Sequence, residues 1–180
     1  SVLLGDYPTS EPQLQLRLPT ERYYEEEGRA ELTPRDFGIL MHRVFENAAT
    51  TDEIYMAIEA MTQDGVLDEK EAPRLRELVE KALADPVTAE WFGGRWQVVR
   101  NENEIILPGS GTTRRPDRVM TDGERAVVVD YKFGDRETAR HRKQIREYLR
   151  LLRQMGYTRT EGYLWYVRLG RTERVEEKED

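Results

Sequence analysis

The chain has no cysteine among its 180 residues. Disulfides, thiolate catalysis and thiolate metal sites are therefore excluded. Histidine is nearly absent as well, with only His42 and His141. A zinc centre built from several histidines does not fit. Any metal centre must rest mainly on oxygen ligands, which favours hard ions such as Mg²⁺, Mn²⁺ or Ca²⁺. No apolar run approaches the roughly 18–20 residues needed to span a bilayer. No signal-peptide pattern opens the chain, so a cytoplasmic protein with no membrane partner is expected. There is also no Walker A sequence, so the chain carries no motor of its own.

What is present is charge. Apolar residues make up 38% of the chain and charged residues 35%, which fits one globular domain with a strongly solvated surface. The net charge of −7 argues, taken alone, against nucleic-acid binding. Its distribution argues differently. Lys132 to Arg159 holds nine basic residues against three acidic ones, while acids cluster at Glu25–Glu27 and Glu176–Asp180. A locally basic face can dock on phosphates while the remainder repels them.

Periodicity divides the chain into an extended lead-in over 1–32, a helical region over 33–93 and a sheet-and-helix core over 94–180, all within one structural domain. In "TPRDFGILMHRVFENAA", Thr33 caps a helix with Pro34 at its first position and Asp36 completing a capping box. Phe37, Leu40, Met41, Val44, Phe45 and Ala48 follow at helical spacing. Thr51 and Asp68 are expected caps for a second and a third helix, and a short piece after Pro86 carries Trp91 and Phe92. "RWQVVRNENEIIL" reads as a strand. "RPDRVMTDGERAVVVDYKF" reads as a hairpin turning at Asp122–Gly123. "ETARHRKQIREYLRLLRQMG" is an amphipathic helix with Ile145, Tyr148, Leu149, Leu152 and Met155 inward and Gly156 as its stop. "EGYLWYVRL" is a further strand. The fold class is α/β (α+β), a central mixed sheet flanked by helices.

The strand "VVVDYKF" ends in two opposite charges. Asp130 and Lys132 stand on one face, ~7 Å apart along the strand, and Val127, Val129 and Tyr131 take the other. Charges at the rim of a low-dielectric core are costly unless paired or bound to an ion. The hairpin brings Asp117 onto the neighbouring strand. Two carboxylates and a lysine can hold a divalent cation against a phosphodiester, with the lysine orienting the attacking water. On the D-x-K triplet alone, a structural ion pair is the commoner explanation.

The ordered set "RPDRV … VVVDYKFG … QIREYLRLL" resembles the PD-(D/E)XK nuclease superfamily. It is similar in particular to the C-terminal nuclease domain of AddA/RecB-type and UvrD-like helicase–nucleases, over about residues 35–168. The resemblance implies a restriction-endonuclease-like core and a Mg²⁺- or Mn²⁺-dependent exonuclease acting on DNA in repair and recombination. Helicase motor domains would lie on the same or another chain. It implies Asp117 and Asp130 as metal ligands, the Tyr131 carbonyl as a further one, and Lys132 as catalytic. "GILMH", Gly38 to His42, matches the subgroup's histidine ligand, which would favour Mn²⁺. Gln144 and Tyr148 match its Q-x-x-x-Y helix. Glu102 or Glu104 falls where the family often has a glutamate. The branch with an iron–sulfur staple is excluded, because it needs four cysteines.

Arg142, Arg146, Arg150 and Arg153 recur on the same helix as Gln144. The stripe is either a solvated face or a phosphate track. The competing reading of the whole is a non-catalytic DNA- or protein-binding module with the same fold.

Overall fold

The computed structural model describes residues 32–101, 105–106, 113–133 and 139–177. Of the expected lead-in, all but Leu32 lies outside them, as do Glu102 and Glu104. Four helices come first: α1 (Pro34–Glu46), α2 (Thr51–Gln63), α3 (Ala72–Ala82) and α4 (Pro86–Trp91). Strands β1 (Val98–Asn101), β2 (Ile105–Ile106), β3 (Thr113–Arg114), β4 (Arg118–Asp122) and β5 (Arg125–Lys132) follow. Helix α5 (Ala139–Gln154), β6 (Arg159–Tyr166) and β7 (Arg171–Val175) complete the order. Five strands form a mixed sheet in the order β1-β4-β5-β6-β7, and β2 and β3 form a separate ribbon. Among the described strands only β5 and β6 run parallel, because α5 carries the chain back across the sheet between them. The expected architecture, a central mixed sheet flanked by helices, is the one observed.

β5 is buried on both faces, so it reads as a continuous apolar run. Val127, Val129 and Tyr131 pack with Phe45, Phe92 and Trp165 in a core shared with α1 to α4. Ala126 and Val128 pack with Ile145, Tyr148 and Leu149 of α5 on the other side. α5 lies close against the sheet at Gly162 of β6, where an added Cβ would come within 2.4 Å of Ile145 Cγ2. Gly38 of α1 has a similar use. A Cβ there would stand 3.2 Å from the Cβ of Phe133, so the helix approaches the end of β5 closely. The neighbour such a Cβ would meet is the Phe133 side chain.

The capping box of α1 is present, with the Asp36 amide donating to Thr33 Oγ1 at 3.2 Å and the Thr33 amide to Asp36 Oδ2 at 2.8 Å. Other boundaries differ from expectation. Thr50, not Thr51, caps α2, since its hydroxyl accepts from the Glu53 amide. Asp68 heads a turn by accepting from the Lys70 amide, and α3 starts four residues later without a side-chain cap. The hairpin loop is Gly123–Glu124, with Asp122 paired to Arg125. Met155 is exposed, because it follows the last turn of α5, and the chain reverses at Gly156 with φ 103°.

One element had no counterpart in the periodicity. Arg118, the first residue of β4, is fully buried. Among the described residues its guanidinium hydrogen-bonds to no carboxylate. Nη1 donates to the Ala48 carbonyl at 2.6 Å and to Asn101 Oδ1 at 3.1 Å. Nη2 donates to the carbonyls of Ala49 at 2.8 Å and Trp91 at 2.7 Å. The charge also lies 4.0 Å over the Phe92 ring. Desolvation lowers its pKa, partly offset by Tyr131 and then Glu53. Arg118→Met is expected to destabilise the fold by at least about 2 kcal/mol, because the carbonyls of Ala48, Ala49 and Trp91 each lose a charged donor and only that of Ala48 keeps another, Asn101 Nδ2. A urea midpoint unchanged from the unmodified chain would refute that role.

Candidate functional site

The carboxyl end of β5 gathers the expected residues. Asp130 is 4% exposed and Lys132 lies two residues on, so alternation puts both on the α5 side of the sheet. The Lys132 ammonium donates to Asp130 Oδ2 at 2.7 Å. Asp117 sits just before β4, level with the same rim. Its Oδ2 accepts from the Tyr131 amide at 2.6 Å. The Asp117 and Asp130 carboxyls are themselves in hydrogen-bonding contact. α1 supplies His42, whose Nε2 lies 3.2 Å from Asp117 Oδ1.

The electrostatics of the pair are unequal. Burial, then the charge of Asp117, then its hydrogen bond push Asp130 up to about 7; Lys132 offsets only part of this. Burial acts to raise Asp117 as well, but hydrogen bonds from His42, Asp130 and the Tyr131 amide outweigh it, and its pKa falls below the usual range. Two carboxylates in contact cannot both ionise cheaply, so a proton or a cation must stand between them.

That is the fit test for a divalent ion. The donors are hard oxygens, they already touch, and their mutual repulsion is what an ion would relieve. Among the described residues no three His, Asp or Glu side chains are grouped to hold an ion as they stand. Some of their lone pairs are already engaged: Asp117 with His42 and the Tyr131 amide, Asp130 with Lys132.

The remaining expected residues divide. Gln144 donates to the Tyr148 hydroxyl at 3.0 Å, and Tyr148 is fully buried within the α5 core. The arginine stripe is largely tied to the chain's own end. Arg142 is ion-paired with Glu173 of β7, Arg146 Nε donates to the Glu176 carbonyl at 3.2 Å, and Arg153 pairs with Glu177. Arg150 is exposed, and with Arg146, Arg153, Gln154 and Glu177 it lines an open groove. Sequence reasoning missed Glu46, which lies 3.4 Å from His42 Nδ1 and turns the other ring nitrogen toward Asp117. The i, i+4 spacing of His42 and Glu46 was the available signal.

The model of the PD-(D/E)XK nuclease superfamily matches residues 13–180, and the chain belongs to that superfamily. Pro116–Asp117 and Asp130–Tyr131–Lys132 carry the letters of its name. No curated protein matches the chain. Among the described residues no helix is long and apolar enough to cross a membrane.

The raised pKa of Asp130 has a definite sign in stability. The folded chain holds this proton more tightly than the unfolded chain does. The contribution is present below about pH 4 and is lost as pH rises through about 7. Asp117, shifted the other way, loses its contribution only as pH falls below its usual range. In EDTA at pH 8, Asp130→Asn is therefore expected to stabilise the fold by about 1–3 kcal/mol, a gain that fades toward pH 4. Urea midpoints at both pH values check this, and a gain independent of pH would contradict it.

Proposed function

We propose that this member of the PD-(D/E)XK nuclease superfamily is a metal-dependent deoxyribonuclease domain that hydrolyses phosphodiester bonds. The observation that carries the reading is the buried contact between the Asp117 and Asp130 carboxyls, with Lys132 2.7 Å from Asp130. Asp117 and Asp130 are the candidate ligands for Mg²⁺ or Mn²⁺, with the Tyr131 carbonyl as a third and His42 as a further ligand that favours Mn²⁺. A bound ion of this kind polarises the phosphate and lowers the pKa of the attacking water.

The chain's own groups do the rest. The Tyr131 amide fixes the orientation of Asp117, and His42 braces its other oxygen. Lys132 places a positive charge beside the pair, where it can orient the water and offset charge developing on the phosphate. Gln144 and Tyr148 support the site from α5. Arg146 and Arg150 are the candidate phosphate contacts of the stripe, whereas the Arg142 guanidinium is engaged by Glu173.

The motif order, with the G-x-x-x-H segment on α1, supports the exonuclease part of an ATP-dependent helicase–nuclease acting on cytoplasmic DNA in repair and recombination. Helicase motor domains of the same or another chain would then deliver the strand.

Lys132→Ala is expected to lower cleavage ~10²–10³-fold at saturating DNA while leaving Ca²⁺-supported DNA affinity within about twofold, because its charge acts where the transition state develops. Equal cleavage by Lys132→Ala and the unmodified chain would remove the lysine from the mechanism. Arg146→Ala combined with Arg150→Ala is expected to weaken DNA binding and flatten its dependence on salt. An unchanged salt slope would mean that the stripe touches no phosphate. A chain that binds DNA but cleaves none with Mg²⁺ or Mn²⁺ is a binding module.

A further inference from the structure

Among the described residues, two buried polar atoms near Lys132 have no hydrogen-bond partner, and neither belongs to the carboxylate pair. One is the Tyr166 hydroxyl and the other is His141 Nδ1. Tyr166 is the register partner of Lys132 on the parallel strand β6, so the two side chains stand side by side on the α5 face. Tyr166 is completely shielded and packs in the α5 core. His141 lies in the first turn of α5, half-buried, and is close enough to Lys132 to feel its charge.

Unpartnered buried polar atoms cost about 1–3 kcal/mol each, so their presence in one neighbourhood requires an explanation. The surroundings indicate what would satisfy them. Lys132, Arg140 and Arg142 all bear on His141, and the Arg171 guanidinium lies 5.1 Å over the Tyr166 ring. The nearby acid on β7, Glu173, is engaged by Arg142. An anion suits this corner and a cation does not. The corner also sits at the carboxyl ends of the two parallel strands, where α/β sheets bind ligands.

We propose that His141 and Tyr166, each near Lys132, form a phosphate subsite beside the carboxylate pair. It takes a backbone phosphate neighbouring the one presented to Asp117 and Asp130, and so fixes the register of a single strand. The ligand assignment rests on the nuclease reading above. Tyr166 contributes its hydroxyl as a donor, and His141 donates through Nδ1. Burial and the positive charges of Lys132, Arg140 and Arg142 hold His141 below its usual pKa, so it binds chiefly as a neutral ring. Neutral donors add affinity without releasing counterions, unlike the arginines of the stripe.

The test uses the whole chain in EDTA, with labelled histidine. Its two ring signals are followed by NMR during titration with inorganic phosphate and with a 5′-phosphorylated thymidine dinucleotide. The His141 signals are expected to move with both probes. Tyr166→Phe and His141→Gln are each expected to weaken dinucleotide binding about tenfold with the salt slope unchanged, as befits the loss of one hydrogen bond to a charged group. Unmoved His141 signals at saturating dinucleotide overturn the subsite, as does equal affinity of Tyr166→Phe and the unmodified chain. Cleavage by the unmodified chain with Mg²⁺ or Mn²⁺ is measured separately. Cleavage without a His141 response removes the subsite and leaves the nuclease, and a response without cleavage does the reverse.

Discussion

A buried guanidinium that donates chiefly to backbone carbonyls holds this structure together. Arg118 is fully enclosed, and its forked donors reach the α1–α2 junction, the end of α4 and strand β1 together. A lysine could not do this, because its ammonium is a single point while guanidinium donors diverge in a plane. The residue before it in the chain is Asp117. Anchoring Arg118 therefore fixes the backbone that presents Asp117, and it draws the helices against the same strand. The meeting of His42 and Asp117, 75 residues apart, follows from that anchor together with the close approach of Gly38 to Phe133.

What the scaffold holds in place is unfavourable by itself. Two acids touch at the rim of a sheet strand buried on both faces, and the fold accommodates them by raising one and lowering the other. Each has a brace from a different element: the Tyr131 amide and His42 for Asp117, Lys132 for Asp130. The braces are hydrogen bonds and ion pairs, which can exchange partners. The apolar core below them cannot. The strain therefore sits where chemistry can use it, on a base that does not move.

Much of this was legible in the sequence because periodicity and caps are local. The double-faced strand 125–132, the capping box at Thr33 and Asp36, and the reversal at Gly156 each follow from spacing of a few residues. The meeting of Asp117 and Asp130 was legible for the same reason, since a short hairpin joins their strands. What escaped depends on distant partners. Arg118 looks like one more surface charge, because nothing near it in sequence supplies Ala48, Ala49 or Trp91. β7 was hidden by its charges: "RTERV" has one apolar residue, at its end, and shows no apolar alternation. Missing β7 also concealed Glu173 and with it the engagement of Arg142, so the stripe on α5 looked more available than it is.

At the start of β5, at the other end of the strand from the acids, Arg125 donates to Glu161 at 2.6 Å and to Glu90 at 2.6 Å, with Trp96 against its guanidinium. This one side chain joins β5, β6 and α4. In cool water such a part-exposed network adds little. Heating changes its relative weight, because the hydration lost by its charges becomes less favourable as temperature rises while apolar burial levels off. The rim around Arg125 therefore gains in relative strength on warming.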